Sequence, residues 1–232
     1  MNQLKILELF SGMECISNAF RDKGHECFTV DYDKKFPSSL HMDIRNLTSG
    51  MILDLFGKPD IIFLGTDCTT YSVAAIGKHR QKMSDGTLIP KTQKARLADE
   101  LNIHCKQLIK ELNPKIYIFE NPVGGFRKMN FVQDIPYRNT TTYCQYGFKY
   151  RKATDFFSNI DLHLKPPCKN GDSCHEAAKR GARTGLQAIT DPALKAIYPP
   201  ELCRHIVNEC LDVFEKNENP PLWKEIKGVE NK

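Results

Sequence analysis

The chain has 232 residues, 41% hydrophobic and 26% charged, a balance that excludes bulk disorder and suits one domain with at most a small appendage. Lysine and arginine number 33 against 28 aspartates and glutamates, so a polyanionic partner is compatible with the charge but not demanded by it. No apolar run approaches the length of a membrane span, and the opening MNQLKILELF reads as a first strand, not as an export signal. Nine cysteines, odd in number and scattered, then predict reduced thiols in a cytosol, with catalysis or metal binding as special uses.

In chain order the first two thirds alternate strand-like and helix-like runs. Lys5 to Phe10 predicts a strand, then a turn at Ser11-Gly12 and a helix over Cys15 to Lys23. Glu26 to Val30 predicts a second strand ending in Asp31-Tyr32-Asp33, and His41 to Ile44 a short third strand end. Asp60 to Leu64 predicts a fourth strand, which runs into GTDCTTYS. Residues 73–93 are polar and basic with Gly and Pro, and read as a long mobile loop. Leu97 to Leu112 carries apolar residues at helical spacing, and Lys115 to Phe119 is a fifth strand leading into Glu120-Asn121-Pro122. Thr140 to Tyr146 and Ala153 to Ser158 are further strand candidates. A last helix after Pro199-Pro200 places Leu202, Ile206, Val207, Cys210, Leu211 and Phe214 on one face, and a polar, frayed tail is expected from Lys216. This rhythm predicts an α/β fold with a mostly parallel sheet and helices on both faces.

Polar residues collect where the strands end, which is where open α/β sheets bind ligands. FSGMECIS joins a strand to a helix, so its backbone N–H groups can approach a ligand, although an ordinary tight turn reads the same way. Asp31 follows about 20 residues later, where a carboxylate can accept from ribose hydroxyls. Asp43 at the third strand end is placed to accept from an adenine amino group, or is a solvated loop residue. Cys68 and Glu120 end strands expected to be neighbours. A thiol and a carboxyl at one sheet edge suit addition of a thiolate to an electron-poor ring, with the acid serving a ring nitrogen. A buried structural cysteine is the bland alternative, weakened by the polar company of TDCTTYS.

LELFSGMECIS, the Asp31 and Asp43 strand ends, DCTTYS, FENPVGG and YCQYGFKYRKATDFFSN occur in order and together resemble the DNA cytosine-5 methyltransferases, above all compact phage-type members, over residues 4 to 159. The resemblance implies a Rossmann-like class I S-adenosylmethionine-dependent fold with a reduced target-recognition region, acting on cytosine C5 of DNA through a flipped base. Cys68 would be the nucleophile and Glu120 the partner of ring N3, with Lys152 as the retained cation near them. Phe10, Gly12, Asp31, Tyr32, Asp43 and Ile44 would hold the cofactor, and Lys78, His79, Arg80 and Lys82 of the mobile loop would meet phosphate, unless they form a solvated charge run. The implied domains are 1–159 for catalysis, 160–192 for a small recognition insert and 193–232 for a closing helix and tail. The implied setting is a bacterial or phage-infected cytoplasm, with a monomer acting on DNA, RNA remaining open, and no membrane.

Several positions depart from the family pattern. Asp67 stands where proline usually precedes the cysteine, and a carboxylate there opposes thiolate formation unless Lys152 offsets it or Asp67 turns toward the cofactor. The usual paired arginines fall on Lys152 and Thr154. The C-terminal Gly-Asn pair aligns with Leu194-Lys195. A lysine there suits a carboxylate on the transferred group, so carboxy-S-adenosylmethionine and carboxymethyl transfer form an alternative, and an inactive nucleic-acid-binding homologue is another. Finally, Cys168, Cys174 and His175 supply three ligands for a structural zinc, with His163 or Cys144 as a fourth. Reduced thiols around a turn fit the same spacing.

Overall fold

In a computed structural model the described residues are 2–176, 194 and 196–224. Nine strands follow in chain order: β1 (Lys5–Leu9), β2 (Glu26–Asp31), β3 (Leu40–His41), β4 (Ile61–Gly65), β5 (Arg80–Lys82), β6 (Leu88–Pro90), β7 (Ile116–Pro122), β8 (Tyr137–Thr142) and β9 (Ala153–Ser158). Seven form one sheet in the order β3-β2-β1-β4-β7-β9-β8, while β5 and β6 make a separate antiparallel ribbon. The pairs from β3 to β7 are parallel, and β9 runs antiparallel to both β7 and β8. This is a Rossmann-like fold, a mostly parallel sheet with helices on both faces, as the sequence predicts.

The central strands are nearly continuous apolar runs because both faces of the sheet are covered. Leu7, Leu9, Ile62, Leu64, Tyr117 and Phe119 point into one layer, against α2 (Ser49–Leu55) and α4 (Gln93–Leu112). Ile6, Ile61, Phe63, Ile116 and Ile118 point into the other, against α1 (Cys15–Arg21) and the C-terminal helix Pro200–Glu215. Glu8 also lies on this second face and is buried. Its carboxylate accepts from the Ser17 N–H at 2.9 Å and so serves the first turn of α1, whose own N-cap residue, Glu14, makes no side-chain cap.

Some boundaries differ from expectation for local reasons. α4 begins at Gln93, four residues before the apolar periodicity does, because the Thr92 side chain accepts from Ala95 N. The strand expected over 140–146 is β8 followed by a 3₁₀ turn at Tyr143–Tyr146, which Gly147 ends at φ +90°. The tail is not frayed through 224. Trp223 stacks on Tyr117 at 4.9 Å, the Tyr117 hydroxyl donates to the Leu222 carbonyl at 2.7 Å, and Lys106 lies over the indole.

The segment after Cys68 is ordered, contrary to expectation. It contains the short helix α3 (Ile76–His79) and the β5–β6 ribbon, and it is pinned by Arg80. The Arg80 guanidinium makes a two-pronged ion pair with Asp99 of α4 at 2.8 and 3.0 Å. It also donates to the carbonyl and hydroxyl of Thr70 and stacks 4.1 Å over the Tyr71 ring. Arg80 therefore does not serve as a phosphate contact. His79 is buried too, with Nδ1 3.0 Å from the Thr92 hydroxyl, so it also leaves that role. Lys78 and Lys82 remain exposed. The helix Pro200–Glu215 is termed α5 below.

Arg80→Ala should strand Asp99 and the Thr70 carbonyl and cost about 3 kcal/mol of unfolding free energy, read by denaturant titration. A loss under a few tenths would show that the pin carries no load. Burial raises the Glu8 carboxyl from 4.5 to about 7. The folded chain thus keeps a proton that the unfolded chain has released, and the stability owed to Glu8 falls as pH rises from about 4.5 to about 7. Glu8→Gln keeps an acceptor for Ser17 and removes the ionisation. Its advantage over the parent should be absent below pH 4.5 and grow towards about 3 kcal/mol at pH 8, and a pH-independent difference would contradict the assignment.

Candidate active site

The carboxyl ends of β1, β2, β4 and β7 open into one cavity of about 1050 Å³. Phe10, Gly12, Asp31, Tyr32, Asp43, Ile44, Asp67, Cys68, Glu120 and Lys152 all line it. Lys195 lies outside the described residues.

The first loop turns sharply. Phe10, Gly12 and Glu14 have φ of +58°, +49° and +52°, a left-handed conformation that costs the two non-glycine residues energy and is typical of sites under functional constraint. Asp31 fixes this loop: one carboxylate oxygen accepts from Gly12 N at 3.0 Å and the other from Asp33 N at 2.9 Å. Asp43 is engaged by Arg45, whose guanidinium meets both carboxylate oxygens and holds the carboxyl below its usual range, with the side-chain hydrogen bond as the main cause. Arg45 also lines the cavity and was not singled out by the sequence.

Gly65 of β4 is in register with Glu120 of β7, which brings the Cys68 loop against the Glu120 turn. Asn121 strengthens the contact by donating to the Thr66 carbonyl at 3.2 Å and sits close to its hydroxyl. Gly124 and Gly125 are required here by close approach. A Cβ on Gly124 would lie 2.5 Å from the Tyr71 carbonyl, and Gly125 N donates to that same oxygen at 2.7 Å. Asp67 turns neither to Cys68 nor into the protein. Its carboxylate accepts from the backbone N–H and hydroxyl of Thr69, an Asx-type turn that shapes the loop.

Glu120 is buried, and burial raises its carboxyl against the opposing effects of Lys152 and Tyr198. One oxygen accepts from the Tyr198 hydroxyl at 2.9 Å, and the other has no partner among the described residues. Tyr198, like Arg45, is a residue that sequence reasoning missed; its only signal was its place ahead of the Pro-Pro that starts α5. Lys152 is buried beside it, with Nζ 3.3 Å from the Tyr143 hydroxyl and 5.9 Å from the centre of the Tyr198 ring. The Cys68 thiol is pushed up to about 11, first by burial and then by Glu120, with Lys152 opposing and Asp67 adding a smaller push upward.

The remaining expected ligands form a separate cluster away from the cavity. Cys168, Cys174 and His175 converge with Cys144, while His163 pairs with Glu209 at 2.8 Å and takes no part. Lys152→Met removes the cation that favours the Cys68 thiolate, so alkylation of Cys68 by iodoacetamide at fixed pH, followed by peptide mass mapping, should slow by roughly tenfold. Unchanged labelling would show that Lys152 does not act on the thiol.

The family model for C-5 cytosine-specific DNA methylases matches residues 4–136. A search of curated proteins finds no match. Among solved structures the chain is similar to a candidate DNA modification methyltransferase encoded within an E. coli prophage, at 20% identity over 67% of this chain and 46% of that one, with a TM-score of 0.47. It is also similar to the Dnmt2 methyltransferase of S. pombe, at 14% identity over 68% and 49% with a TM-score of 0.47. A third is the Entamoeba histolytica methyltransferase EhMeth, at 12% identity over 71% and 56% with a TM-score of 0.47. The chain spans about half the length of these structures. The matched span covers more than half of the chain and includes the β1, β2, β4 and β7 ends that build the cavity, and on that ground the chain belongs to the C-5 cytosine-specific DNA methylase family.

Proposed function

We propose that the protein methylates C5 of cytosine in DNA, with S-adenosylmethionine as donor and a covalent adduct on Cys68. The observation that carries this reading is the placement of Cys68 and Glu120 at the ends of hydrogen-bonded neighbouring strands, facing one cavity. The cofactor half of that cavity is the first loop with Asp31 and Asp43. What supports an adenosyl group there is the Ser11 hydroxyl, buried with no partner among the described residues, beside the Asp31 and Asp43 carboxylates that Gly12, Asp33 and Arg45 already orient at the cavity wall. S-adenosylmethionine, when bound, supplies the electrophilic methyl group that C5 takes.

The residues of this chain do the rest. A cytosine flipped into the cavity places its ring between Cys68 and Glu120. Burial favours the protonated form of Glu120, the form whose second oxygen can donate to N3 and draw electron density from C6. A neutral Glu120 no longer repels a thiolate, which removes the largest charge effect opposing Cys68, while Lys152 remains to favour the anion. Cys68 Sγ then bonds to C6 and C5 becomes nucleophilic. Loss of the C5 proton with departure of the sulfur restores the ring and the thiolate. The Tyr198 hydroxyl fixes the orientation of Glu120 throughout. Lys78 and Lys82, exposed beyond the Cys68 loop, suit phosphate contacts.

Incubation with S-adenosylmethionine and DNA containing 5-fluorocytosine should give a denaturant-resistant adduct that maps to Cys68, because fluorine blocks the final proton loss. Cys68→Ala should give none. On ordinary DNA, nucleoside mass spectrometry should show 5-methylcytosine with the parent and at least about 10³-fold less with Cys68→Ala. A well-folded parent that forms no adduct on DNA would overturn the reading and leave an inactive binding homologue. An adduct on RNA alone would overturn the substrate assignment.

A further inference from the structure

We propose that Cys144, Cys168, Cys174 and His175 form a tetrahedral zinc site that clamps the chain following β9 to the turn following β8. The four ligand atoms all lie within 4.8 Å of one another. Cys144 Sγ is 3.3 Å from Cys168 Sγ and 3.6 Å from Cys174 Sγ, and His175 Nδ1 is 3.9, 3.7 and 3.5 Å from the three sulfurs. Tetrahedral zinc with its usual bond lengths sets sulfurs about 3.8 Å apart and sulfur and nitrogen about 3.6 Å apart. The four atoms are therefore already arranged around a common centre of the right size.

A disulfide explains the cluster less well. A Cys144–Cys168 bond would need the sulfurs at about 2.05 Å, and it would leave a third thiol and an imidazole aimed at the same point without a purpose. Soft thiolates with one imidazole select zinc among common divalent ions, and an outer shell holds Cys168 and Cys174, while His175 Nε2 is buried with no partner among the described residues. The Thr142 hydroxyl donates to Cys168 Sγ and accepts from Cys168 N, the Gln145 amide donates to Cys174 Sγ, and Arg151 donates twice to the Cys168 carbonyl. On binding, three S–H bonds are given up, their protons go to solvent and the sulfurs take the zinc; no electron is transferred.

The clamp has a structural reason. Segment 161–176 contains no helix or strand and packs against the 3₁₀ turn that carries Cys144. Tyr143, next to Cys144, accepts a hydrogen bond from Lys152 Nζ at its hydroxyl. A metal at this point fixes the wall of the cavity that carries the cation, from outside the cavity.

The experiment is metal analysis of the full chain purified without chelator, together with cobalt substitution. The expected result is about one zinc per chain and, in the cobalt form, the intense tetrahedral absorption and sulfur-to-metal charge transfer of thiolate ligation. Cys174→Ser and Cys144→Ser should each lower zinc retention against a competing chelator by at least about tenfold, and His163→Ala should leave it unchanged. The cobalt spectrum of the parent needs no variant to fold. A folded, metal-free chain that gives no thiolate–cobalt spectrum would overturn the proposal, as would a Cys144–Cys168 disulfide found by non-reducing peptide mapping.

Discussion

The pairing of β4 with β7 is the constraint on which the site depends. The register sets Gly65 opposite Glu120, so the thiol that follows one strand and the carboxyl that ends the next share a sheet edge. Burial then acts on both groups in the same direction, since each loses solvation for its charged form. For a carboxyl that is to act as an acid that loss is useful, because it favours the form that carries a proton. For a nucleophile it is a burden, and the neutral state of the acid relieves part of it. The two groups are thus matched through their environment and not through a direct bond.

Much of the remaining architecture keeps that edge in place. Arg80 reaches back from the ribbon to grip Thr70 and Tyr71, two and three residues past Cys68, and ties them to α4 through Asp99. The glycines after Glu120 let the Tyr71 backbone approach from the other side. Asp67, which looks hostile to a thiolate in the sequence, spends its charge on a local turn. Its place before the cysteine is a matter of backbone shape, and its effect on the thiol ranks below those of burial, Glu120 and Lys152.

How much of this was legible in the sequence depended on the range of each interaction. Asp31, Cys68 and Glu120 could be read because each follows an apolar run that announces a strand, and strand ends of this fold class face a common edge. The fold class followed from the same rhythm. Tyr198 could not be read, because it reaches Glu120 from 78 residues away and the Pro-Pro that follows it says nothing of that contact. Arg80 misled because a cation in a polar run looks solvated; its partner Asp99 lies 19 residues on, in α4, and only the fold brings the two together. Trp223 misled similarly, since a single aromatic in a polar tail gives no period from which docking can be inferred. Cys144 was one of two residues that could join Cys168, Cys174 and His175, and the turn after β8 is what brings it among them.

The reversal of β9 has a wider consequence for the cleft. A purely parallel sheet offers its binding edge only residues that leave strands. Because β9 runs the other way, Thr154 pairs with Pro122 and the residue that enters the strand, Lys152, arrives at the same rim. One wall is therefore built from outgoing chain and the opposite wall from incoming chain. Changes in the 143–152 connection can remodel the Lys152 side of the cavity while the loops that carry Gly12, Asp31 and Asp43 stay as they are. The topology separates, along one rim, the wall built from strand ends from the wall built from the chain that enters β9, so each can change without the other.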